Sequence, residues 1–87
     1  MTINRPIAER VSVPSPAEVK AARERAGLTP QAAGALISSA EQPRRTWEKW
    51  EKEKGTVNHR EMPQATWELF LLLTDQHPSL SLTETPR

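Results

Sequence analysis

Three features of the sequence predict a small all-α domain. Helix start and stop signals alternate along the chain, apolar residues recur at helical spacing, and Gly or Pro separates the helical segments. The 87 residues are 36% hydrophobic and 26% charged, an ordinary globular composition. We expect four to five short helices within residues 15–76, after a flexible arm at 1–14 and before a frayed tail at 77–87. A short strand at residues 10–13 is an alternative within the arm.

The first helix is predicted from a capping box. Ser15 is a preferred N-cap residue, Pro16 suits the first helical position, and Glu18 follows the cap by three residues. Gly27 is predicted to end the helix as a left-handed C-cap. The residues at helical spacing between these signals are Val19, Ala22 and Ala26.

The second helix follows at once, because Thr29 and Pro30 form another start signal. Small residues around Gly34 predict a close approach to a neighbouring helix. The inner face of this helix is predicted to carry Ala32, Ala33, Leu36 and Ile37.

Two further helices are predicted after residues 38–43. The third runs from Gln42 or Pro43 to Lys54, where Gly55 ends it. The fourth covers residues 63–75 and is the most apolar segment of the chain. Together these elements make a thin core, since a chain of this size buries only about 60% of its unfolded surface.

The third helix has two different faces. At about 100° per residue, Trp47 and Trp50 lie roughly 200° and 140° from Arg45, whereas Lys49 and Lys52 lie within about 40° of it. The tryptophans are therefore predicted to fill the core, and the basic residues to face outward. Glu and Lys four residues apart would also suit an ordinary solvated helix face, and that alternative stays open.

Positive charge is concentrated in the same segment. Residues 44–60 carry six Lys or Arg against three Glu, while the whole chain has a net charge of +1. Such local asymmetry indicates a polyanionic partner.

Other classes of function lack a motif. The chain has no Cys, which excludes a disulfide scaffold and a thiolate metal site. His59 and His77 have no carboxylate cluster at metal-ligand spacing, and Ser38 and Ser39 have no His and acid beside them. We expect no enzyme activity, no metal and no cofactor. Without a membrane-length apolar run or a secretory leader, a cytoplasmic location is expected.

The segments VKAARERAGLTPQAAGALI, residues 19–37, and RTWEKWE, residues 45–51, resemble the helix-turn-helix repressors of the Cro/CI type, the XRE family. The resemblance covers residues 17–74 and implies a lambda-repressor-like, plasmid- or phage-type DNA-binding domain. In this family the second helix lies across the DNA backbone and the third enters the major groove.

Carried over residue by residue, the resemblance places Arg44, Arg45 and Lys49 at base edges, where Arg commonly binds guanine. Trp47 takes a core position, and Arg23 pairs with Glu51 as a structural ion pair. Thr29, as N-cap of the second helix, directs free N–H groups at a phosphate. The residues expected at phosphates are Thr29, Lys52, Lys54, His59 and Arg60.

Two departures from the family concern a phosphate contact and the register of the third helix. Pro30 stands where relatives usually have a phosphate-binding Gln, and the turn at residues 38–43 is longer than theirs. If the third helix begins early with Ser39 as its cap, Glu41 and Gln42 also face the groove. Gln42 is then an additional candidate for reading adenine.

The fourth helix is apolar over more than half of its circumference, so its surplus apolar surface is either a larger core face or a dimer contact. The resemblance favours the dimer contact, because repressors of that family bind as symmetric dimers. The candidate interface residues are Leu69, Phe70, Leu72 and Leu73. The resulting hypothesis is a homodimeric repressor that binds an inverted-repeat operator of double-stranded DNA without a small-molecule ligand. The alternatives are a DNA-binding antitoxin that holds a toxin, and a protein-interaction adaptor that has lost DNA binding. Salt-dependent duplex binding would distinguish the two DNA-binding hypotheses from the adaptor. Co-purification of a second polypeptide would distinguish the antitoxin from the repressor.

Overall fold

The protein is described by a computed structural model over residues 5–82, and within that range the only regular secondary structure is helical. The helices are α1 (Ile7–Arg10), α2 (Pro16–Arg25), α3 (Pro30–Ile37), α4 (Pro43–Glu51) and α5 (Gln64–Leu73). The all-α prediction is confirmed. Residues 1–4 of the predicted arm and 83–87 of the predicted tail lie outside the described range. None of the helices in residues 5–82 has the length and apolar character needed to span a bilayer.

The predicted start and stop signals of α2 and the predicted start of α3 operate as expected. The Ser15 hydroxyl accepts the Glu18 N–H at 3.1 Å, and the Glu18 carboxylate accepts the Ser15 N–H at 3.1 Å, so the capping box of α2 is complete. Gly27 has a φ of 71° and turns the chain toward α3. Thr29 caps α3 by accepting the Ala32 N–H at 3.1 Å.

Aromatic side chains at the centre of the core join α4 to α5. The rings of Trp47 and Phe70 lie 4.8 Å apart, and the rings of Trp67 and Phe70 lie 6.4 Å apart. The N-terminal segment, α2 and α3 add smaller side chains around them. The buried hydrophobic residues are Val11, Val19, Ala22, Ala33, Trp47, Met62, Trp67, Phe70 and Leu71.

The inner face of α3 is narrower than predicted. Ala33 is buried and Ile37 packs against the core, but Ala32 and Leu36 are exposed. The reason lies at Gly34, where an added Cβ would stand 2.2 Å from the carbonyl oxygen of Pro43. The backbones of α3 and α4 therefore meet along one line of the helix, which leaves the flanking side chains in solvent.

The predicted flexible arm is wrong for its described part. Residues 7–10 form one helical turn, and Val11 is buried in the core. Gln64 on α5 donates to the Val11 carbonyl at 3.1 Å, which holds residues 10–13 without forming a strand. The tail is also bound to the domain, because the His77 side chain has no exposed surface and is hydrogen-bonded to Glu68. The fraying prediction is thus wrong for the beginning of the tail.

Candidate nucleic-acid interface

The start of α4 is set by Pro43. Residues 38–42 are not helical, and the Ser38 hydroxyl accepts the Ala40 N–H at 3.0 Å instead. The alternative of an early start with Ser39 as cap is therefore wrong. Proline lacks an N–H and is suited to the first turn of a helix, where no intrahelical acceptor is needed. Its close contact with Gly34 then places the beginning of α4 directly on α3.

A carboxylate holds the other end of α4 to α2. Arg23 binds both oxygens of Glu51, at 2.6 Å through Nε and at 3.3 Å through Nη2. The indole N–H of Trp47 also donates to Glu51, and the third guanidinium nitrogen of Arg23, Nη1, donates to the Leu28 carbonyl at 3.0 Å. We call Arg23, Trp47 and Glu51 the Glu51 junction. The ion pair expected from the resemblance is present.

The Glu51 junction is largely shielded from solvent, since the side chains of Arg23 and Glu51 are each 15% exposed. The hydrogen bonds that Arg23 donates to Glu51, with the negative charge of that carboxylate, raise the pKa of Arg23 above its ordinary value. The guanidinium of Arg23 therefore stays charged over the physiological range. The junction fixes the rotation of α4 about its own axis, because Trp47 and Glu51 lie on the same face one turn apart.

The opposite face of α4 carries the basic residues. Trp47 is fully buried and Trp50 is half-buried, whereas Arg44, Arg45 and Lys49 are exposed. We call these three cations the basic stripe. The predicted separation of a tryptophan face from a basic face is thus what the structure has.

Two members of the basic stripe have partners on α4 or at its start. Arg44 forms an ion pair with Glu48 at 3.1 Å, one helical turn away. Arg45 donates to the side-chain oxygen of Gln42 at 3.2 Å, so Gln42 supports a neighbouring cation. Both contacts are solvent-exposed and worth little, about 0–1 kcal/mol for the ion pair. A stronger bidentate acceptor such as a guanine edge or a phosphate would displace them.

α4, which corresponds to the third predicted helix, is shorter than predicted and ends at Glu51 rather than at Lys54. The chain folds back there: the Arg60 N–H donates to the Lys49 carbonyl at 3.0 Å, and Nδ1 of His59 lies 2.9 Å from the Lys52 carbonyl. These contacts satisfy carbonyls that a helix end leaves unpaired. Residues 52–60 consequently form a loop beside the last turn of α4.

The candidates for phosphate contact lie on this loop, with one exception. Lys52, Lys54 and Arg60 are exposed. His59 is half-buried, and its Nδ1 donates to a carbonyl, so the neutral ring offers only an acceptor at Nε2. It can therefore donate to a phosphate only when protonated. Thr29 lies apart from the loop, at the N-terminus of α3, where its hydroxyl is already used as a cap.

Asn58 is a site residue that the sequence did not identify. It lines an open pocket of about 120 Å³ together with Arg45, Glu48, Lys49 and Lys52. Nothing in the spacing of Asn58 pointed to α4, because its position depends on the backbone bond between Arg60 and Lys49. An amide supplies both a donor and an acceptor beside three cations, which suits a phosphate or a base edge.

The predicted dimer residues on α5 divide into two groups. Phe70 is fully buried against Trp47, so its assignment to an interface is wrong. Helical periodicity did not show how much of α5 the indole of Trp47 would cover. Leu69 and Leu73 are each 43% exposed, one turn apart, and Leu72 is half-buried. An apolar strip therefore remains on the outer side of α5.

No family model, curated protein or solved structure matches this chain. Within residues 5–82, no three acidic or histidine side chains come together in a way that would hold a metal ion. What supports a function is therefore the arrangement of the chain's own residues.

Proposed function

We propose that this protein is a sequence-specific, double-stranded DNA-binding repressor in which α4 enters the major groove. The observation that carries the proposal is the two-faced build of α4. Its inner face is fixed by buried Trp47, the Glu51 junction and the Gly34–Pro43 contact, and its outer face presents the basic stripe. A rigid helix with exposed arginines is the usual means of contacting guanine edges. α3, which packs against α4, takes the place of the helix that crosses the backbone in lambda-repressor-like proteins.

The roles within this surface follow from the contacts of each residue. Arg45 and Lys49 border the pocket that also contains Asn58, so we assign them to base edges or to the phosphates flanking them. We assign Arg44 to the same contacts, which it can make once its ion pair with Glu48 is broken. Lys52, Lys54 and Arg60 on the loop bind phosphates, and Gln42 orients Arg45 in place of contacting adenine directly.

The direct test is selection of bound duplexes from a random pool, followed by variants measured on the selected sequence. Arg45→Ala and Lys49→Ala should each weaken operator binding by about 1–3 kcal/mol and relax preference at one position. Lys20→Ala on α2 removes the same charge outside the stripe and is the matched control. Equal losses in all three variants would reduce the basic stripe to a nonspecific charge effect, and no selected sequence would remove the proposal.

We further propose that two copies associate through the apolar strip of α5, Leu69 and Leu73. An isologous contact would present two α4 helices to half-sites about 34 Å apart, so the selected operator should be an inverted repeat. Leu69→Glu should convert a sedimenting dimer to a monomer, whereas Val13→Glu, at an equally exposed apolar residue on another segment, should not. A native protein that is monomeric and binds one asymmetric site would contradict the symmetric arrangement.

The exposed leucines favour a second candidate function. The apolar strip of α5, and separately Leu36 on α3, would also suit a different protein as partner, as in an antitoxin or an adaptor. Duplex affinity that falls steeply with salt supports both DNA-binding hypotheses and contradicts the adaptor. A stoichiometric second polypeptide that protects Leu69 would indicate the antitoxin. A chain without Cys suits the reducing cytoplasm, which is the location we propose.

A further inference from the structure

His77 is enclosed at the end of the domain by hydrogen bonds to both ring nitrogens. Its side chain has no exposed surface. Nδ1 accepts the backbone N–H of Ser79 at 3.1 Å and that of Leu80 at 2.9 Å, while Nε2 lies 3.0 Å from a carboxylate oxygen of Glu68. Because a backbone N–H can only donate, Nδ1 must hold a lone pair. The ring proton is therefore on Nε2 and is donated to Glu68.

Glu68 binds a second partner from the opposite end of the chain. Arg10 donates to both carboxylate oxygens of Glu68, at 2.7 Å through Nε and at 2.9 Å through Nη2. We call Arg10, Glu68 and His77 the Glu68 junction. The hydrogen bonds from Arg10, followed by that from His77, lower the pKa of Glu68 to about 2, so the carboxylate stays ionised while histidines titrate.

Other charged groups around this end of the chain are Arg5, Arg25 and the carboxylate of Glu18, which lines the same pocket as Pro78. Arg5 donates to the Ser79 hydroxyl at 3.3 Å, and Arg25 on α2 donates to the side chain of Gln76 at 2.9 Å. Glu68 is thus the anion that contacts the imidazole directly, on α5, and Arg10 already neutralises it. The geometry of Nδ1, rather than the surrounding charge, decides what protonation does.

A proton on Nδ1 turns an acceptor into a donor that faces two N–H donors about 3 Å away. Both backbone bonds are lost, although the imidazolium keeps its bond to Glu68. We propose that His77 is an acid-operated switch, which fixes residues 77–82 against α5 when the ring is neutral and releases them when Nδ1 is protonated.

The release changes the surface of the domain. Pro78 and Gln76 line an open pocket of about 240 Å³ together with Val11, Trp67 and Leu71, and the charged side chains of Glu18 and Arg25 line it as well. Departure of Pro78 removes part of the lining that this pocket shares with Trp67 and Leu71, which are otherwise buried. The switch therefore controls how much apolar surface of α5 is accessible.

Nuclear magnetic resonance of the full chain tests the switch directly. The His77 ring and the amide hydrogen exchange of Leu80 should be followed from pH 8 to pH 4. The Ala32 amide, held by the Thr29 hydroxyl, is the reference because its acceptor does not titrate in this range. Relative to Ala32, Leu80 should lose about tenfold or more of its protection, with the same midpoint as the His77 ring. Constant relative protection while the ring titrates would overturn the switch.

His77→Asn sharpens the test, since a side-chain amide oxygen can accept the N–H groups two and three residues on but cannot be protonated. The Leu80 amide of this variant should stay protected across the whole pH range. His59→Asn removes the other histidine and should leave the Leu80 transition unchanged. A transition that persists in His77→Asn, or one that disappears in His59→Asn, assigns the effect elsewhere and contradicts the proposal.

Discussion

Glu51 and Glu68 are held by the same combination of groups in two different regions of the molecule. Each carboxylate is gripped at both oxygens by an arginine and receives a ring N–H, from Trp47 in one case and from His77 in the other. Both carboxylates are mostly covered, with 15% and 12% of their side chains exposed. The difference is in what each junction connects and in whether its ring can change charge.

The Glu51 junction joins α2 to α4 around an indole at the centre of the core, whereas the Glu68 junction joins the two ends of the described chain to α5. An indole N–H keeps its proton at every accessible pH, whereas an imidazole has a second ring nitrogen that can take up a proton. We infer that the first junction belongs to the cooperative core and that the second controls a segment able to leave by itself. Substitutions in each junction test that distinction.

The largest effect is expected from Trp47→Ala. The variant loses the packing on Phe70 and also leaves Glu51 without its indole partner. Truncating a buried aromatic costs about 3–5 kcal/mol, which approaches the whole stability of a small domain. Far-ultraviolet circular dichroism should therefore show a loss of helix at room temperature. An unchanged thermal midpoint would show that the centre of the core lies elsewhere.

Gly34→Ala should be the next most damaging change. The new methyl would approach the Pro43 carbonyl to 2.2 Å, and a backbone atom cannot move aside as a flexible side chain would. Overpacking of this kind costs about 1–3 kcal/mol, more than the better helix propensity of alanine returns. Urea denaturation measures the loss. Ala35→Ser, at an exposed neighbour on α3, controls for small changes in the helix. A more stable Gly34→Ala variant would contradict the close contact of α3 with α4.

Glu51→Gln tests the first junction itself. The amide keeps the side-chain shape but removes the charge, so Arg23 loses a charge-assisted bond worth about 1.5–3 kcal/mol. The urea midpoint should fall, and operator binding should weaken as well, because α4 then loses its fixed rotation. Glu53→Gln, an exposed carboxylate two residues on, should change stability by less than about 0.5 kcal/mol. Equal effects of the two substitutions would show that Glu51 contributes only as a surface charge.

Much of the fold was predictable because its signals are local. The capping box of Ser15 and Glu18, the cap at Thr29 and the turn at Gly27 each depend on residues within a few positions. The orientation of α4 followed from periodicity, and the Arg23–Glu51 pair from the resemblance. The residues that were missed depend on contacts between distant parts of the chain. Arg10 and Glu68 are 58 positions apart, and neither has a neighbour in sequence that indicates the other.

The same reason explains the errors in the site. The end of α4 at Glu51 is imposed by Arg60, whose N–H takes the Lys49 carbonyl from outside the helix. Helical periodicity continued through the lysines that follow, so it predicted a longer helix. The burial of Phe70 likewise depends on Trp47 reaching across from α4. Periodicity identifies an apolar face but does not tell which part of it another helix covers.

The smallest effect on global stability, and the one most dependent on pH, is expected from Glu68→Gln. The pKa of Glu68 is about 2 in the folded protein, below its ordinary value of 4.5, chiefly because Arg10 donates to the ionised form. A carboxyl group with a lowered pKa stabilises the fold above its unfolded pKa, and this contribution is lost as the pH falls through the folded pKa. The stability difference between wild type and variant should therefore be full at neutral pH and shrink between about pH 4.5 and pH 2.

Urea midpoints of both proteins at pH 7, 5, 3.5 and 2.5 measure this convergence. Glu61→Gln, at an exposed carboxylate near the start of α5, is the matched control. Because the Glu68 junction holds chain ends rather than core helices, Glu68→Gln should also speed amide exchange at Leu80 while leaving Ala33 on α3 protected. A loss of protection that spreads equally to Ala33 would place Glu68 in the cooperative core beside Glu51. The two junctions would then differ only in position, and the ends of the chain would unfold with the rest.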